Sequence, residues 1–303
     1  MTSGRYTGRV GVIGAGAMGG AVVARLVGVG VPTVARDILP AAQDAAVRLG
    51  AIPAATPAEL ARVCDIVIVL VVDAAEVETV LFGAHGAAAA LAPDAGVLAS
   101  STVDPAHPAA WAPRIAEFGA ALLDAPVSGG PAKAAAGTMT MMVSGDLAAL
   151  ARVAPVVDLL TGRLFTLGPR AGDASAFKIV NNLLAAANLA AGAEALALAQ
   201  AAGLDPAVAA DVIGASSGAS WIFADRVPRA LAGDFEPRAA ARILAKDIGI
   251  AVALARRLGA DATFAAAAQA ALADAVAGGD GDADDAVLVR RALEKQKPAP
   301  RAD

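Results

Sequence analysis

The ten residues Val10-Gly11-Val12-Ile13-Gly14-Ala15-Gly16-Ala17-Met18-Gly19 constrain this chain more than any others. Val10 to Ile13 reads as a strand, Gly14 to Gly19 as a G-x-G-x-x-G turn, and Gly20 to Val27 as a helix. Each glycine has a physical use. Gly14 permits the tight turn, Gly16 lets backbone N–H groups approach a pyrophosphate, and Gly19 lets helix and strand pack closely. The positive end of the helix then favours the anion. Gly14, Gly16, Ala17, Met18 and Gly19 are therefore expected to bind a dinucleotide.

The rest of the first half agrees. Short β-branched runs at Thr33–Ala35, Ile66–Val71, Val97–Ala99, Ala121–Leu123, Thr138–Val143 and Leu164–Thr166 alternate with Ala-rich helical segments. That is the pattern of a parallel sheet covered by helices. Thr56-Pro57-Ala58-Glu59 predicts a helix start, with Thr as N-cap, Pro in the first turn and Glu three residues after the cap. After Gly168-Pro169 the strand signal stops. Residues 173–202 predict one helix roughly 45 Å long at 1.5 Å per residue. The fold class is α/β: an N-terminal Rossmann doubly wound sheet over residues 1–169, then an all-α domain over 170–290, joined by that long interdomain helix. Residues 291–303 form a tail. From Gly278 onward a turn, a short charged helix and a Pro-containing end are expected to be peripheral or frayed.

Composition excludes several function classes. Net charge is −5, so no basic field exists to attract nucleic acid or anionic lipid. Cys64 is the only cysteine, which rules out an internal disulfide and thiolate clusters and suits a reducing cytoplasm. The start lacks the pattern of a secretion signal, so export is not expected. Of the residues, 57% are hydrophobic and only 3% aromatic. Runs such as Ile179 to Ala193 carry asparagines in their middle and read as buried helices rather than bilayer spans. His85 and His107 lack metal-ligand spacing, so no metal is expected. Met139, Met141 and Met142 read as core packing.

The second strand closes on Val34-Ala35-Arg36-Asp37. An acid here would bind the ribose 2′-OH of NAD, and an Arg would accept the 2′-phosphate of NADP. Counting along the strand puts Ala35 at the acid's position with Arg36 next. NADP is therefore expected, with Asp37 and NAD left open.

Four separated motifs complete the pattern. They are the glycine loop with Met18; Asp124-Ala125-Pro126-Val127-Ser128-Gly129-Gly130 followed by Gly137-Thr138-Met139-Thr140; Gly172 with Lys178-Ile179-Val180-Asn181-Asn182; and Lys246-Asp247. In that order they resemble the β-hydroxyacid dehydrogenase family over roughly residues 9–273. The resemblance implies hydride transfer between a nicotinamide and a small β-hydroxy acid or semialdehyde. It implies Lys178 as the proton-transfer residue, and Ser128, Gly129, Gly130 and Asn182 as substrate-binding. Thr102 and the backbone of Val71, which stands where the family has Pro, are implied at the nicotinamide end. Lys246 and Asp247 are implied to close over the cofactor.

The residues make sense of these roles. Ser128-Gly129-Gly130 offers a hydroxyl and unobstructed backbone donors to a carboxylate. Lys178 and Asn182 are four apart and share a helix face, where a Lys can shuttle a proton and an amide can orient it. Ser100-Ser101-Thr102 reads equally well as a helix N-cap cluster. Lys246 and Asp247, as sequence neighbours, are not expected to pair simply with each other. Ala239 stands where the family often has a second aromatic. Ser217 to Phe223 resembles branches acting on four-carbon sugar acids. An imine reductase on the same fold and a non-catalytic dinucleotide sensor remain as alternatives. The apolar surplus from Leu183 to Ala202 predicts a homodimer or homotetramer.

Overall fold

The structure is a computed structural model that describes residues 6–296. The expectations for residues 1–5 and for the Pro-containing end after Gln296 lie outside the described residues. The chain divides into two compact units, the first reaching Lys178 and the second starting at Ile179.

The first unit opens with β1 (Val10–Ile13), α1 (Ala17–Gly28), β2 (Thr33–Arg36), α2 (Pro40–Arg48), β3 (Ile52–Pro53) and α3 (Pro57–Ala61). It continues with β4 (Ile66–Val69), α4 (Ala74–Phe82), β5 (Gly96–Ala99), α5 (Ala106–Ala116) and β6 (Ala121–Asp124). Then come β7 (Val127–Ser128), α6 (Gly130–Ala136), β8 (Met139–Gly145), α7 (Leu147–Leu160) and β9 (Thr161–Thr166). The sheet runs β3-β2-β1-β4-β5-β6-β8-β7, with β9 also on β8. From β3 to β6 every pair is parallel, whereas β8 pairs antiparallel with β6 and β7. The order reverses direction at β1 and β4, the switch point where open α/β sheets place a ligand beyond the strand ends.

Alternation of side chains explains the two layers. Val10, Val12, Ile66, Ile68 and Leu98 belong to one apolar cluster, and Ile13, Val67, Val69, Val97 and Ala99 to another on the opposite face. The predicted strands are all present, and Met139, Met141 and Met142 are buried as expected. Sequence reading missed β3 and β7, each two residues long. Pro53 sits in β3 at the sheet's edge, where a missing N–H costs least. The predicted helix start at Thr56 is present: its Oγ1 accepts from Glu59 N at 3.1 Å, and Glu59 Oε2 accepts from Ala55 N at 3.0 Å.

Helix α8 (Asp173–Ala201) begins in the first unit and continues into the second. It is long and apolar enough to cross a bilayer by length and composition, yet Lys178, Asn181, Asn182 and Glu194 interrupt it. The second unit adds α9 (Pro206–Gly214), α10 (Trp221–Leu231), α11 (Ala241–Leu258), α12 (Thr263–Ala275) and α13 (Val287–Lys295). Its core joins Leu189, Leu196, Phe223, Val227, Ile248 and Leu272 with Val287 and Val289 of α13. The peripheral, frayed helix expected after Gly278 is thus a correction. Val287 and Val289 are fully buried, because α13 has an apolar side that its charged residues mask in a linear reading.

Candidate active site

The glycine loop joins β1 to α1 at the switch point. Gly14 adopts φ +89°, and a Cβ there would lie 2.5 Å from Leu70 O. A Cβ on Gly19 would stand 1.7 Å from Gly14 O, so only glycine lets helix and turn meet. Gly16 differs, because a Cβ on it would meet nothing within 4 Å. Its freedom serves an open face, the one a ligand phosphate would approach. Gly16 is also the N-cap of α1, with no side-chain cap and no acid in the first turn, so the positive helix end is left to an anion. Ala17 is exposed, Met18 packs against the core, and Val71 lies beside Gly14.

β2 ends one residue later than its sequence pattern suggests. Ala35 is fully buried inside the strand, the strand ends at Arg36, and Asp37 is the first residue beyond it. Asp37 faces the glycine loop: Oδ2 accepts from Ala15 N at 2.6 Å, and Oδ1 accepts from Leu39 N at 2.8 Å. Gln43 brackets the strand end, donating to Ala35 O at 3.0 Å and accepting from Asp37 N at 2.6 Å. Arg36 donates through Nη1 to Asp37 O at 2.6 Å. Nothing in the sequence alone singled out Gln43.

Thr102 is half-buried in the segment after β5 and lies outside α5. The N-cap residue of α5 is Pro105, with no side-chain cap, and Asp104 Oδ1 accepts from Ala106 N at 2.9 Å. That removes the N-cap reading of Thr102. The neighbouring Ser100 and Ser101 hydroxyls are buried with no hydrogen-bond partner among the described residues.

Ser128 ends β7, and Gly129 and Gly130 lead into α6 at φ +127° and +73°. A Cβ on Gly129 would press on the Lys133 side chain, but one on Gly130 would meet nothing. This strand-to-helix turn is therefore open over Gly130. Lys178 is 8% exposed on α8.

At the start of α8 stands an arrangement that sequence reading missed. Asp124, fully buried at the end of β6, accepts from Gly172 N at 2.9 Å and Ser175 N at 2.8 Å through Oδ2, and from Ser175 Oγ at 2.6 Å through Oδ1. Ser144 Oγ donates to Asp124 Oδ2 at 3.3 Å and accepts from Ala174 N at 3.0 Å. Burial pushes the Asp124 carboxyl above its ordinary pKa, and the hydrogen bonds from Ser175, Gly172 and Ser144 oppose that rise.

In the second unit, Asn182 Nδ2 donates to Asp247 Oδ2 at 2.7 Å, and Lys246 Nζ donates to Asp247 Oδ1 at 2.6 Å. The Lys246–Asp247 pair corrects the expectation that these neighbours would not face each other. Asp247 is 4% exposed and points inward, and the flexible lysine stem folds back to reach it. Asn181 Nδ2 donates to Asn182 Oδ1 at 3.1 Å, so both ends of the Asn182 amide are engaged.

Comparison with known proteins adds to this geometry. Residues 9–168 match the family described as the NAD binding domain of 6-phosphogluconate dehydrogenase. Residues 172–292 match the one described as NAD-binding of NADP-dependent 3-hydroxyisobutyrate dehydrogenase. L-threonate dehydrogenase of Cupriavidus necator is 43% identical over 281 residues, 93% of this chain and 95% of that protein. The crystal structure of 3-hydroxyisobutyrate dehydrogenase from Salmonella typhimurium matches with a TM-score of 0.86 at 36% identity, covering 93% of this chain and 99% of that one. An imine reductase from Myxococcus stipitatus, at 22% identity and a TM-score of 0.66 over 93% of this chain and 99% of its own, shares the fold alone.

Proposed function

We propose a substrate class and a division of labour for this chain, which belongs to the β-hydroxyacid dehydrogenase family and is a nicotinamide-dependent oxidoreductase of small hydroxy acids. The substrate is a four-carbon sugar acid, with L-threonate the first candidate. Its support is the 43% identity to a threonate dehydrogenase and the Ser217 to Phe223 segment.

The observation that carries the chemistry is Lys178, an amine almost withdrawn from solvent on a helix whose first turn is pinned. When bound, the nicotinamide supplies the hydride acceptor or donor. The open face at Gly16 and the uncapped start of α1 fit its pyrophosphate, with Gly14, Ala17, Met18 and Gly19 shaping that cradle. Val71, Thr102, Lys246 and Asp247 are assigned to the cofactor as well. Ser128, Gly129 and Gly130 hold the substrate carboxylate, the open face of Gly130 leaving its backbone accessible. Lys178 takes the proton from the substrate hydroxyl oxygen in oxidation and returns it in reduction. Asn182 is oriented by Asp247, which takes one N–H of Nδ2, and its second Nδ2 N–H is assigned to the substrate.

The cofactor preference turns on two neighbours. Arg36 would favour the 2′-phosphate of NADP, as the linear reading expects. Asp37, however, is the residue just past β2, and its carboxylate lies on the glycine loop, where it would accept from a ribose hydroxyl and repel a phosphate. On that ground NAD is the preferred cofactor.

Self-association is part of the same reading. Phe177, Val180, Leu184 and Leu198 are exposed along α8, with Leu204, Val208 and Val212 just after it, an apolar surface suited to a second copy. A monomeric mass in light scattering at micromolar concentration would defeat it. The single, buried cysteine supports a cytoplasmic location.

The test is a panel of four-carbon sugar acids, 3-hydroxyisobutyrate, serine and small semialdehydes, read by nicotinamide absorbance with NAD and NADP in parallel. Turnover of L-threonate or a close isomer with NAD is expected. No turnover of any hydroxy acid with either cofactor would overturn the reading.

A further inference from the structure

We propose that Asp124 is a positioning residue for Lys178, acting through the first turn of α8. The inference rests on Lys178 being the proton-transfer group.

A helix start leaves its first N–H groups without intrahelical partners. At α8 each one is accounted for. Gly172 N and Ser175 N go to Asp124, Ala174 N goes to Ser144 Oγ, Asp173 N goes to Arg170 O at 3.2 Å, and Ala176 N makes the first helical bond to Gly172 O at 2.9 Å. The helix's own first-turn acid takes no part in this, because Asp173 is turned to Arg170 in an exposed pair at 2.6 Å. The capping groups come instead from the sheet, where Asp124 and Ser144 are register partners on β6 and β8. The place of the helix end is thereby set by the sheet rather than by its own local sequence.

Two further features fix its rotation. Ser175 and Lys178 are three apart and share a helix face. Ser175 meets Asp124 through both its backbone N–H and its hydroxyl, so the turn cannot rotate about the helix axis without breaking one of the two. A slip of one residue would swing Lys178 by about 100°. Gly172 seals the start, with φ +105° and a would-be Cβ only 2.4 Å from Pro105 O. Asp124 also lies four residues before Ser128, which with Gly129 and Gly130 is assigned to the substrate carboxylate. One buried carboxylate therefore sets the origin of both segments within the first unit.

The experiment compares full-length Asp124→Asn, Ser175→Ala and Lys178→Ala with the parent. It measures kcat on the best substrate of the panel, cofactor Kd by nicotinamide fluorescence, and the solvent deuterium isotope effect on kcat. In Asp124→Asn the amide keeps the shape of the carboxylate but loses its charge and one acceptor. This variant is expected to lower kcat by up to about 10²-fold, as an ångström of misplacement does, with cofactor Kd within about twofold. Its solvent isotope effect should rise, since a displaced Lys178 makes proton transfer more limiting. Ser175→Ala should move both in the same direction, by less. A smaller folded fraction would lower kcat and leave the isotope effect alone, and that result would overturn the proposal. If Asp124→Asn does not fold, Ser175→Ala decides, and parental kcat and isotope effect in it would overturn the proposal too. Lys178→Ala separates the two readings. If it keeps near-parental kcat, the functional reading fails and this inference with it, whereas an inactive Lys178→Ala beside a normal Asp124→Asn removes only the positioning role.

Discussion

Replacing Asp37 by Ala should change which cofactor the enzyme uses. A carboxylate offers about four acceptor positions. Here two are committed, to Ala15 N and Leu39 N. The remainder can accept from the ribose hydroxyls of NAD, and a hydrogen bond to a charged acceptor is worth about 1.5–3 kcal/mol, or roughly 10- to 150-fold in affinity. Against NADP the same charge acts in reverse, since two unit charges about 5 Å apart repel by about 3 kcal/mol at an effective dielectric near 20. The substitution also strips Ala15 N of its partner and loosens the loop, a penalty that falls on both cofactors. The informative quantity is therefore the ratio of kcat/KM for NAD to kcat/KM for NADP, in which the shared penalty cancels. Initial rates with both cofactors on one substrate give it directly, and the ratio should fall at least about tenfold. A ratio left unchanged, or a parent enzyme that already prefers NADP with Arg36→Ala abolishing that preference, would refute the assignment of Asp37 and return the decision to Arg36.

Lys178→Ala should cut kcat by about 10²–10⁴-fold with little change in cofactor Kd, and Lys178→Arg should not restore it, because a guanidinium stays protonated. Steady-state rates and fluorescence titration check both. Gly19→Ala should cost cofactor binding or folding outright, since its Cβ would fall 1.7 Å from the Gly14 carbonyl oxygen, whereas Gly16→Ala should fold with a normal melting curve and lose only cofactor affinity. Cys64 is 3% exposed and burial pushes its thiol up to about 12, so it should resist iodoacetamide in the native protein and react fully once denatured. Rapid labelling of the native protein would falsify that placement.

What the sequence made legible was local. The glycine loop, the Thr56 cap, the fully buried strands and the 29-residue helix α8 each rest on a periodicity or a turn chemistry contained within one short segment. Asp37 shows the margin of such reading. The strand is evident from its β-branched run, but its end is placed one residue early, at Ala35 rather than Arg36, which hides Asp37 as the first residue beyond it. The β3 and β7 pairs were missed because two residues carry no period at all. In α13, the run of charged residues hid the three adjacent apolar residues that bury it.

The polar contacts that position the candidate site belong to another class. Asp124 meets Ser175 across 51 positions of sequence, and Asn182 meets Asp247 across 65. Neither pair has a spacing that a helix or strand period could reveal, and each residue alone looks ordinary: an acid closing a strand, a serine in a first turn, an amide on a helix. Their cost is what gives them meaning. A buried carboxylate is tolerated only when donors surround it. Asp124 accepts from Gly172, Ser175 and Ser144, and Asp247 from Asn182 and Lys246. Apart from Ser144, every one of these donors lies on a segment that carries Lys178, Asn182 or Lys246. An apolar residue at either place would fill the core as well and would leave those donors unpaired. The two buried acids are thus best understood by what they hold, through contacts that exist only once the chain has closed on itself.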